Sequence, residues 1–146
     1  MKFFKWGILF IGCFSYGQSH FVQFNEQESV VAVKEYTTQL TISFTITPGY
    51  HIQDINDVAD FVIPTEVIWD EPVISFIENS DFDIPTIDFI KLDTINHRVI
   101  SSTFYIKIDL KRSFSGLVSG VLHYQACDDI RCFYPRELPF EVQIYP

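Results

Sequence analysis

Apolar and polar residues alternate along most of the chain after its amino-terminal segment. The alternation is clearest in Leu40–Thr47, Phe104–Lys111 and Leu138–Ile144. A two-residue period places the apolar side chains on one face of a β-strand and the polar ones on the other. Shorter strand candidates are Phe21–Phe24, Val30–Lys34, Thr65–Trp69, Val73–Ile77 and Val118–Ala126. No stretch sustains a helical period, so the pattern predicts an all-β chain with little or no helix after the amino-terminal segment.

The predicted strands are arranged as in a β-sandwich. About seven or eight short strands separated by turns are typical of an immunoglobulin-like two-sheet β-sandwich. The cysteine–tryptophan–cysteine spacing of true immunoglobulin domains is absent, so we expect the likeness to be architectural. Two long stretches, Gln53–Pro64 and Glu78–Arg98, show no alternation. We expect both to be irregular loops, and loops of this length in a compact domain are often functional.

The amino terminus has the composition of a secretory signal peptide. Lys2 and Lys5 provide the positive charge, Trp6–Phe14 is a short apolar core, and Ser15–Gly17 offers small residues for cleavage. The apolar core is shorter than the roughly 20 residues that a membrane-spanning helix needs. We therefore expect residues 1–17 to be removed and the chain to be exported, for example to the periplasm.

A second interpretation of this segment is a lipoprotein signal. In that case Phe10–Cys13 would be the processing motif, and a lipid on Cys13 would anchor the chain to a membrane. Either interpretation places the domain, residues 18–146, outside the cytoplasm, where disulfides persist.

Composition limits the classes of function that fit. Hydrophobic residues make up 47% of the chain and aromatic residues 16%, which excludes a disordered protein. The formal net charge of −9 repels phosphate backbones, so we expect no nucleic-acid partner. The length after the signal suits one domain with its own core.

The predicted domain has one cysteine pair, at the tip of a hairpin. The strand Val118–Ala126 leads into Cys127, and the next predicted strand begins shortly after Cys132. Facing residues in a hairpin have Cα atoms ~4.5–5.5 Å apart, which a disulfide can bridge. Alternation along the first strand predicts that Tyr124 points into the core and that Gln125 and Cys127 point outward.

The pair could be a structural clip, a redox couple or half of a metal site. A metal is disfavoured because zinc needs about four ligands and no histidine has ligand spacing relative to the pair. A clip closing a loop of ~6 residues stabilises by roughly 2 kcal/mol, against nearly 5 for a loop of ~100 residues. Such a weak, tip-placed bridge favours a labile disulfide that exchanges with thiols. The residues by themselves leave the clip and the redox couple open.

Local charge distinguishes the two sulfurs. Asp128 and Asp129 follow Cys127 and disfavour its thiolate, whereas Arg131 precedes Cys132 and favours one. Cys132 is therefore the predicted nucleophile and Cys127 the resolving thiol.

The cysteine hairpin resembles that of a known family. Tyr124–Asp129 (Tyr-Gln-Ala-Cys-Asp-Asp) and Cys132–Pro135 (Cys-Phe-Tyr-Pro) are similar to the active-site hairpin of the amino-terminal domain of the DsbD thiol:disulfide interchange family. Pro48–Ile52 and Ile63–Val67 resemble earlier segments of that family. The resemblance implies an immunoglobulin-like domain with an activity of the protein-disulfide reductase type.

The resemblance also implies partners and roles. The electrons would come from a membrane electron donor acting in trans and pass to periplasmic disulfide-containing or thioredoxin-like proteins, with no bound cofactor. Cys132 would attack the client disulfide, and Cys127 would resolve the mixed disulfide. The alternative from another class is a non-catalytic binding module whose disulfide only makes a recognition hairpin rigid.

Residues around the cysteines are candidates for tuning or capping the site. The family shields its cysteines with a loop that carries acidic and aromatic residues, and Asp93 is the candidate acid here, with Phe82 or Phe89 as the aromatic. Candidates beside the cysteines are Tyr124, Gln125, Asp128, Asp129, Arg131, Phe133 and Tyr134. His51, just after the Pro48-Gly49 turn, is interpreted as a structural histidine.

Overall fold

The computed structural model describes residues 20–56, 58–92, 94–111 and 114–145. The predicted signal peptide with Cys13 and the candidate capping residue Asp93 lie outside the described residues. Within the described part, no helix is long and apolar enough to cross a membrane.

The described chain is built almost entirely of strands. They are β1 (Val22–Val33), β2 (Thr37–Ile46), β3 (His51–Gln53), β4 (Glu66–Trp69), β5 (Ile77–Asp83), β6 (Asp88–Leu92), β7 (Ile95–Ile100), β8 (Phe104–Lys111), β9 (Gly116–Tyr124), β10 (Ala126–Cys127) and β11 (Arg136–Ile144). One 3-10 helix, Val73–Phe76, interrupts them. The predicted all-β, immunoglobulin-like fold class is confirmed.

The strands form three antiparallel hydrogen-bonded groups. Their orders are β1-β2-β8-β5, β11-β9-β4 and β10-β3-β7-β6. The first two pack face to face: the Phe44 ring of β2 lies 5.4 Å from Phe104 of β8 and 5.4 Å, edge on, from Phe140 of β11. Most of the core lies between these two groups, and the third group, which holds the cysteine hairpin, adds Ile52, Ile100 and Ala126 to it.

Alternation explains the central strands. The alternate apolar side chains of β2 and β8 are fully or almost fully buried: Leu40, Ile42, Phe44, Ile46, Phe104, Ile106, Ile108 and Leu110. These two strands pair along their length in register, from Thr37 opposite Lys111 to Phe44 opposite Phe104. Each buried leucine or isoleucine contributes on the order of 1.5–3 kcal/mol of transfer free energy. The predicted strand pattern is confirmed here.

Two sequence-based strand assignments are wrong. Val73–Ile77, predicted as a strand, is a 3-10 helix up to Phe76. Glu78–Arg98, predicted as an irregular loop, contains most of β5, all of β6 and much of β7. The side chains of β5 are polar or only partly buried because that strand lies at the edge of its sheet, so no apolar alternation marks it.

The strand predicted for Val118–Ala126 divides at Gln125. Up to Tyr124 it belongs to β9, which pairs with β11. Beyond Gln125 the chain changes partner, and β10 pairs with β3, with Ala126 opposite Ile52 and Cys127 opposite His51. This change of partner places the first cysteine beside β3.

Candidate functional site

Cys127 and Cys132 form a disulfide across the tip of the hairpin. Their Cα atoms are 3.9 Å apart, closer than the 4.5–5.5 Å expected for facing strand residues. Backbone hydrogen bonds enclose the bridge: the Phe133 amide donates to the Ala126 carbonyl at 2.8 Å, and the Asp128 amide donates to the Arg131 carbonyl at 2.9 Å. The bridge therefore belongs to a closed, hydrogen-bonded hairpin.

Asp128 organises the tip between the two cysteines. Its Oδ1 atom accepts the backbone N–H groups of Ile130 and Arg131, both at 2.8 Å. These two hydrogen bonds, that of Arg131 first, lower the pKa of the Asp128 carboxyl below its ordinary value. The carboxylate predicted to disfavour a Cys127 thiolate is thus engaged by the turn itself.

The two sulfur-bearing residues differ in exposure. Cys127 is only 2% exposed, whereas Cys132 is exposed to solvent. The prediction that Cys127 points outward to solvent is wrong, because the chain changes partner at Gln125 and β10 pairs with β3, where the Gln53 side chain contacts the Cys127 sulfur. Tyr124, predicted to point inward, is 4% exposed, and its burial raises the pKa of its phenol. A visiting thiol can therefore approach the bridge only from the Cys132 side.

Two buried polar side chains of β3 lie on the Cys127 side. The Gln53 amide Nε2 donates a hydrogen bond to Cys127 Sγ at 3.1 Å, and Gln53 is 1% exposed. His51 is 7% exposed, and its Nε2 has no hydrogen-bond partner among the described residues. Burial lowers the pKa of His51, against the opposing effect of Asp129 and Asp128.

Sequence reasoning missed Gln53 and interpreted His51 as structural. The sequence pattern predicts a loop from Gln53 onward, whereas Gln53 ends β3 and contacts Cys127, 74 residues away in sequence. The available signal was the polar alternation of His51 and Gln53 around Ile52, immediately after the turn at Gly49.

Gln125 connects the hairpin to the neighbouring segment. Its Oε1 accepts the backbone N–H of Ile63 at 3.0 Å, and its Nε2 donates to the Phe133 carbonyl at 3.1 Å. The Gln125 side chain thus joins the second arm of the hairpin to the segment at Ile63. A glutamine suits this position because its amide both accepts and donates a hydrogen bond.

The aromatic residues after Cys132 play different parts. Phe133 packs against Phe21, with ring centroids 4.7 Å apart, and against Tyr50 at 6.0 Å. The Arg131 guanidinium carbon lies 4.9 Å from the centroid of the Phe133 ring. Tyr134 is 88% exposed. Phe133 is therefore a packing residue, and Tyr134 is free to contact a partner.

A surface groove of about 450 Å³ lies beside the exposed cysteine. It brings together five of the residues singled out from the sequence and adds two that follow them. The lining residues are Gln125, Arg131, Cys132, Phe133, Tyr134, Pro135 and Arg136. Asp129 and His51 instead line a separate depression, together with Asp88 and Ser101.

The aromatic capping candidates do not meet at the cysteines. Phe82 stacks on Phe104, with ring centroids 6.3 Å apart, as part of the core side of β5. Phe89 is 65% exposed on β6. Cys132 is exposed, so none of the described residues seals it. Within the described residues, no group of three or more histidine, cysteine, aspartate or glutamate side chains is placed to hold a metal ion.

The fold and site together define a class: an all-β sandwich domain with a hairpin disulfide of which one cysteine is exposed. No protein-family model and no curated protein matches the chain. Among solved structures it is similar to the N-terminal periplasmic domain of ScsB from Proteus mirabilis, with a TM-score of 0.58 and 13% identity over 79% of this chain and 44% of that one. The chain thus spans less than half of that protein.

The DsbD N-terminal domain of Neisseria meningitidis, solved in the reduced form, is similar at a TM-score of 0.45 and 16% identity, over 81% of this chain and 86% of that one. At these identities the likeness concerns the fold. The resemblance predicted from the sequence is confirmed at that level.

Proposed function

We propose that this chain is a thiol–disulfide exchange domain that cycles Cys127 and Cys132 between dithiol and disulfide. The observation that carries the proposal is the unequal exposure of the pair, with Cys127 2% exposed and Cys132 open to solvent. Exchange proceeds by in-line attack of a thiolate on one sulfur of a disulfide. A bridge with a single accessible sulfur reacts with other thiols through that sulfur. The buried sulfur then serves only to resolve the mixed disulfide.

The direction we propose is reduction of a client. In the dithiol form, the Cys132 thiolate attacks a client disulfide, forms a Cys132–client bond and releases the second client sulfur as a thiolate. Cys127 then loses its proton and attacks the Cys132 sulfur, which breaks the Cys132–client bond. The client gains two electrons and two protons, and the domain returns to its disulfide form.

The cycle needs a reductant and an oxidised client. A dithiol donor, acting in trans and held in the membrane, would attack Cys132 of the oxidised domain and restore the dithiol. Disulfide-containing or thioredoxin-like proteins would be the clients, and the groove with exposed Tyr134 offers them a docking surface. We propose export through residues 1–17, with residues 18–146 as the working domain. The periplasmic origin of the ScsB domain accords with that location.

Trapping of mixed disulfides tests the assignment of roles. In a Cys13→Ser chain, Cys127→Ser leaves Cys132 unable to be resolved, so it should accumulate a mixed disulfide with an oxidised thioredoxin-like protein. Cys132→Ser is the matched control and should trap at least about tenfold less, because Cys127 is buried. Non-reducing electrophoresis and mass analysis of the adduct measure both. Equal trapping by the two variants would contradict the roles proposed here.

A redox titration tests the function itself. Structural disulfides typically have potentials below about −300 mV, whereas exchanging ones lie above that value. We expect the Cys127–Cys132 couple to equilibrate with glutathione or thioredoxin buffers above about −300 mV. A bridge that stays oxidised far below this and resists thioredoxin would instead indicate a binding module with a rigid recognition hairpin.

A further inference from the structure

Two buried polar side chains of β3 lie at the Cys127 end of the bridge. The strand register pairs Cys127 with His51, and residues two apart on a strand share a face. His51 and Gln53 of β3 therefore both lie on the face where the Cys127 sulfur lies. Both are more than nine-tenths buried, and buried polar groups normally have a hydrogen-bond partner, either protein or ordered water.

The Gln53 amide already contacts the sulfur. Its Nε2 lies 3.1 Å from Cys127 Sγ, and the backbone of Gln53 is held by the Thr65 hydroxyl, which donates to the Gln53 carbonyl at 2.6 Å. Next to it, the Asp54 carboxylate is paired with Arg98 Nε at 2.8 Å. The donor is thus fixed by its neighbours before the sulfur acquires a charge.

His51 offers an acceptor on the same face. Its Nε2 is buried and has no partner among the described residues. The charged groups facing the imidazole are Asp128 and Asp129 from the tip and Asp88 from β6, while Ser101 hydrogen-bonds Asp88. Val99 of β7 lines the same depression as His51 and carries no charge. Despite the carboxylates, burial lowers the pKa of His51. The imidazole is therefore uncharged near pH 7, which is the form that accepts a proton.

We propose that Gln53 and His51 form a site for the Cys127 sulfur, in which the Gln53 amide stabilises the Cys127 thiolate and His51 accepts the thiol proton. This inference rests on the proposed exchange function. When the mixed disulfide on Cys132 is resolved, the Cys127 S–H proton passes to His51 and the thiolate attacks Cys132 Sγ. The Cys127–Cys132 bond forms, the bond from Cys132 to the client breaks, and the client sulfur leaves with the electron pair.

The same site serves the reverse step. A donor thiolate can reach only Cys132 of the oxidised domain, so Cys127 is the sulfur that leaves. Its negative charge then develops beside the Gln53 amide, and hydrogen bonds to a charged group are stronger than those to a neutral one. A buried thiolate without such a donor would be disfavoured by desolvation.

The first experiment measures the pKa of the Cys127 thiol directly. In a chain with Cys13→Ser and Cys132→Ser, thiolate absorbance against pH reports Cys127 alone. We expect Gln53→Leu to raise the Cys127 pKa by about one unit, because the thiolate loses its donor. Gln53→Glu should raise it at least as far, and it serves if the leucine variant does not fold. Gln39→Leu, which removes a similar part-buried glutamine bonded to Asp109, is the control and should leave the pKa unchanged.

The second experiment follows ring closure with a small probe. Dithiobis(nitrobenzoate) reacts with the reduced Cys13→Ser domain at Cys132, and attack by Cys127 then releases the second thionitrobenzoate. We expect His51→Gln to slow this release by about tenfold or more near neutral pH and to remove a titration from its pH profile. His123→Gln, a partly exposed histidine bonded to Glu66, should keep the wild-type profile.

The two readouts separate this inference from the proposed function because neither needs a protein client. An unchanged Cys127 pKa in both Gln53 variants, or an unchanged pH profile in His51→Gln, would overturn the inference even if clients are reduced normally. Shifts in both readouts would uphold the site even if no protein client is ever trapped, in which case only the proposed function fails.

Discussion

At the hairpin tip, one carboxylate holds a four-residue turn. Asp128 Oδ1 accepts two backbone amides at 2.8 Å, and the Asp128 amide donates back to the Arg131 carbonyl. Short polar side chains that bond their own backbone a few residues on are the usual means of fixing such turns. The tip therefore keeps Cys127 and Cys132 facing each other through a local interaction rather than through the core.

The charge of Asp128 makes this turn sensitive to acid. Its pKa in the folded chain is lowered, so its contribution to stability is complete above the ordinary value of 3.8 and is lost as the pH falls through the folded value. We expect Asp128→Asn to keep the hydrogen bonds but to remove this part of the acid dependence, and Asp128→Ala to lower the urea midpoint at neutral pH.

The control for the tip is Ile130→Ala, since Ile130 is 92% exposed and contributes only its backbone amide. Its urea midpoint should follow the wild type at every pH. An acid dependence of Asp128→Asn equal to that of the wild type would show that the carboxylate does not stabilise the turn.

At the scale of the elements, β9 is the central strand of its three-stranded sheet. It pairs with β11 along its whole length and with β4 on its other edge. Gly120 lies at the centre of this contact, where an added Cβ would stand 2.8 Å from the Ile68 carbonyl oxygen and 3.1 Å from the Phe140 ring. The absence of a side chain at Gly120 is what lets β4 and the core ring approach.

We expect Gly120→Ala to destabilise the domain by ~1–3 kcal/mol, the usual cost of overpacking a well-packed site. The backbone of β4 has to shift, because the nearest atom is a carbonyl and not a flexible side chain. Ser119→Ala, on the outer face of the same strand, is the matched control and should stay within about 0.5 kcal/mol of the wild type. Urea unfolding measures both, and equal midpoints for the two variants would contradict the packing described.

The sequence predicted the elements whose side chains alternate between core and solvent. β2, β8 and β11 were identified because each has one buried and one wet face. β6 and β7 were missed because they form a hairpin in which exposed and buried side chains do not alternate: in β7 the first residues are mostly exposed and the last two are buried. A strand whose side chains do not alternate between core and solvent shows no two-residue apolar period in the sequence.

The candidate site was predictable only in its local part. The two cysteines, Gln125 and the charged tip lie within a dozen consecutive residues, so spacing and residue type indicated them. Gln53 and His51 reach Cys127 through the pairing of β3 with β10, a contact that sequence position does not suggest. The burial of Cys127 follows from the same pairing and was therefore missed too.

At the scale of the whole molecule, the bridge lies at the margin of the core. Most of the core lies between the β1-β2-β8-β5 and β11-β9-β4 groups, where the Phe44 ring contacts both Phe104 and Phe140, and the third group adds Ile52, Ile100 and Ala126. The disulfide joins residues only 5 positions apart, at the end of the third group. Since neither sulfur holds the two main layers together, the bridge can open without releasing the core.

Reduction of the domain should therefore weaken it without unfolding it. Opening a loop of ~6 residues removes roughly 2 kcal/mol on the chain-entropy estimate, whereas Ile106→Ala in the core should remove ~2–5 kcal/mol. We expect the reduced chain to unfold cooperatively in urea at a modestly lower midpoint. Before unfolding, it should retain most of the near-ultraviolet circular dichroism of the oxidised chain. Ile106→Ala, fully buried on β8, should lower the midpoint of the oxidised and reduced forms alike. If reduction abolished cooperative unfolding, the bridge would be needed to hold the fold together. Such a bridge would contradict a redox cycle, because the domain has to stay folded in both the oxidised and the reduced state.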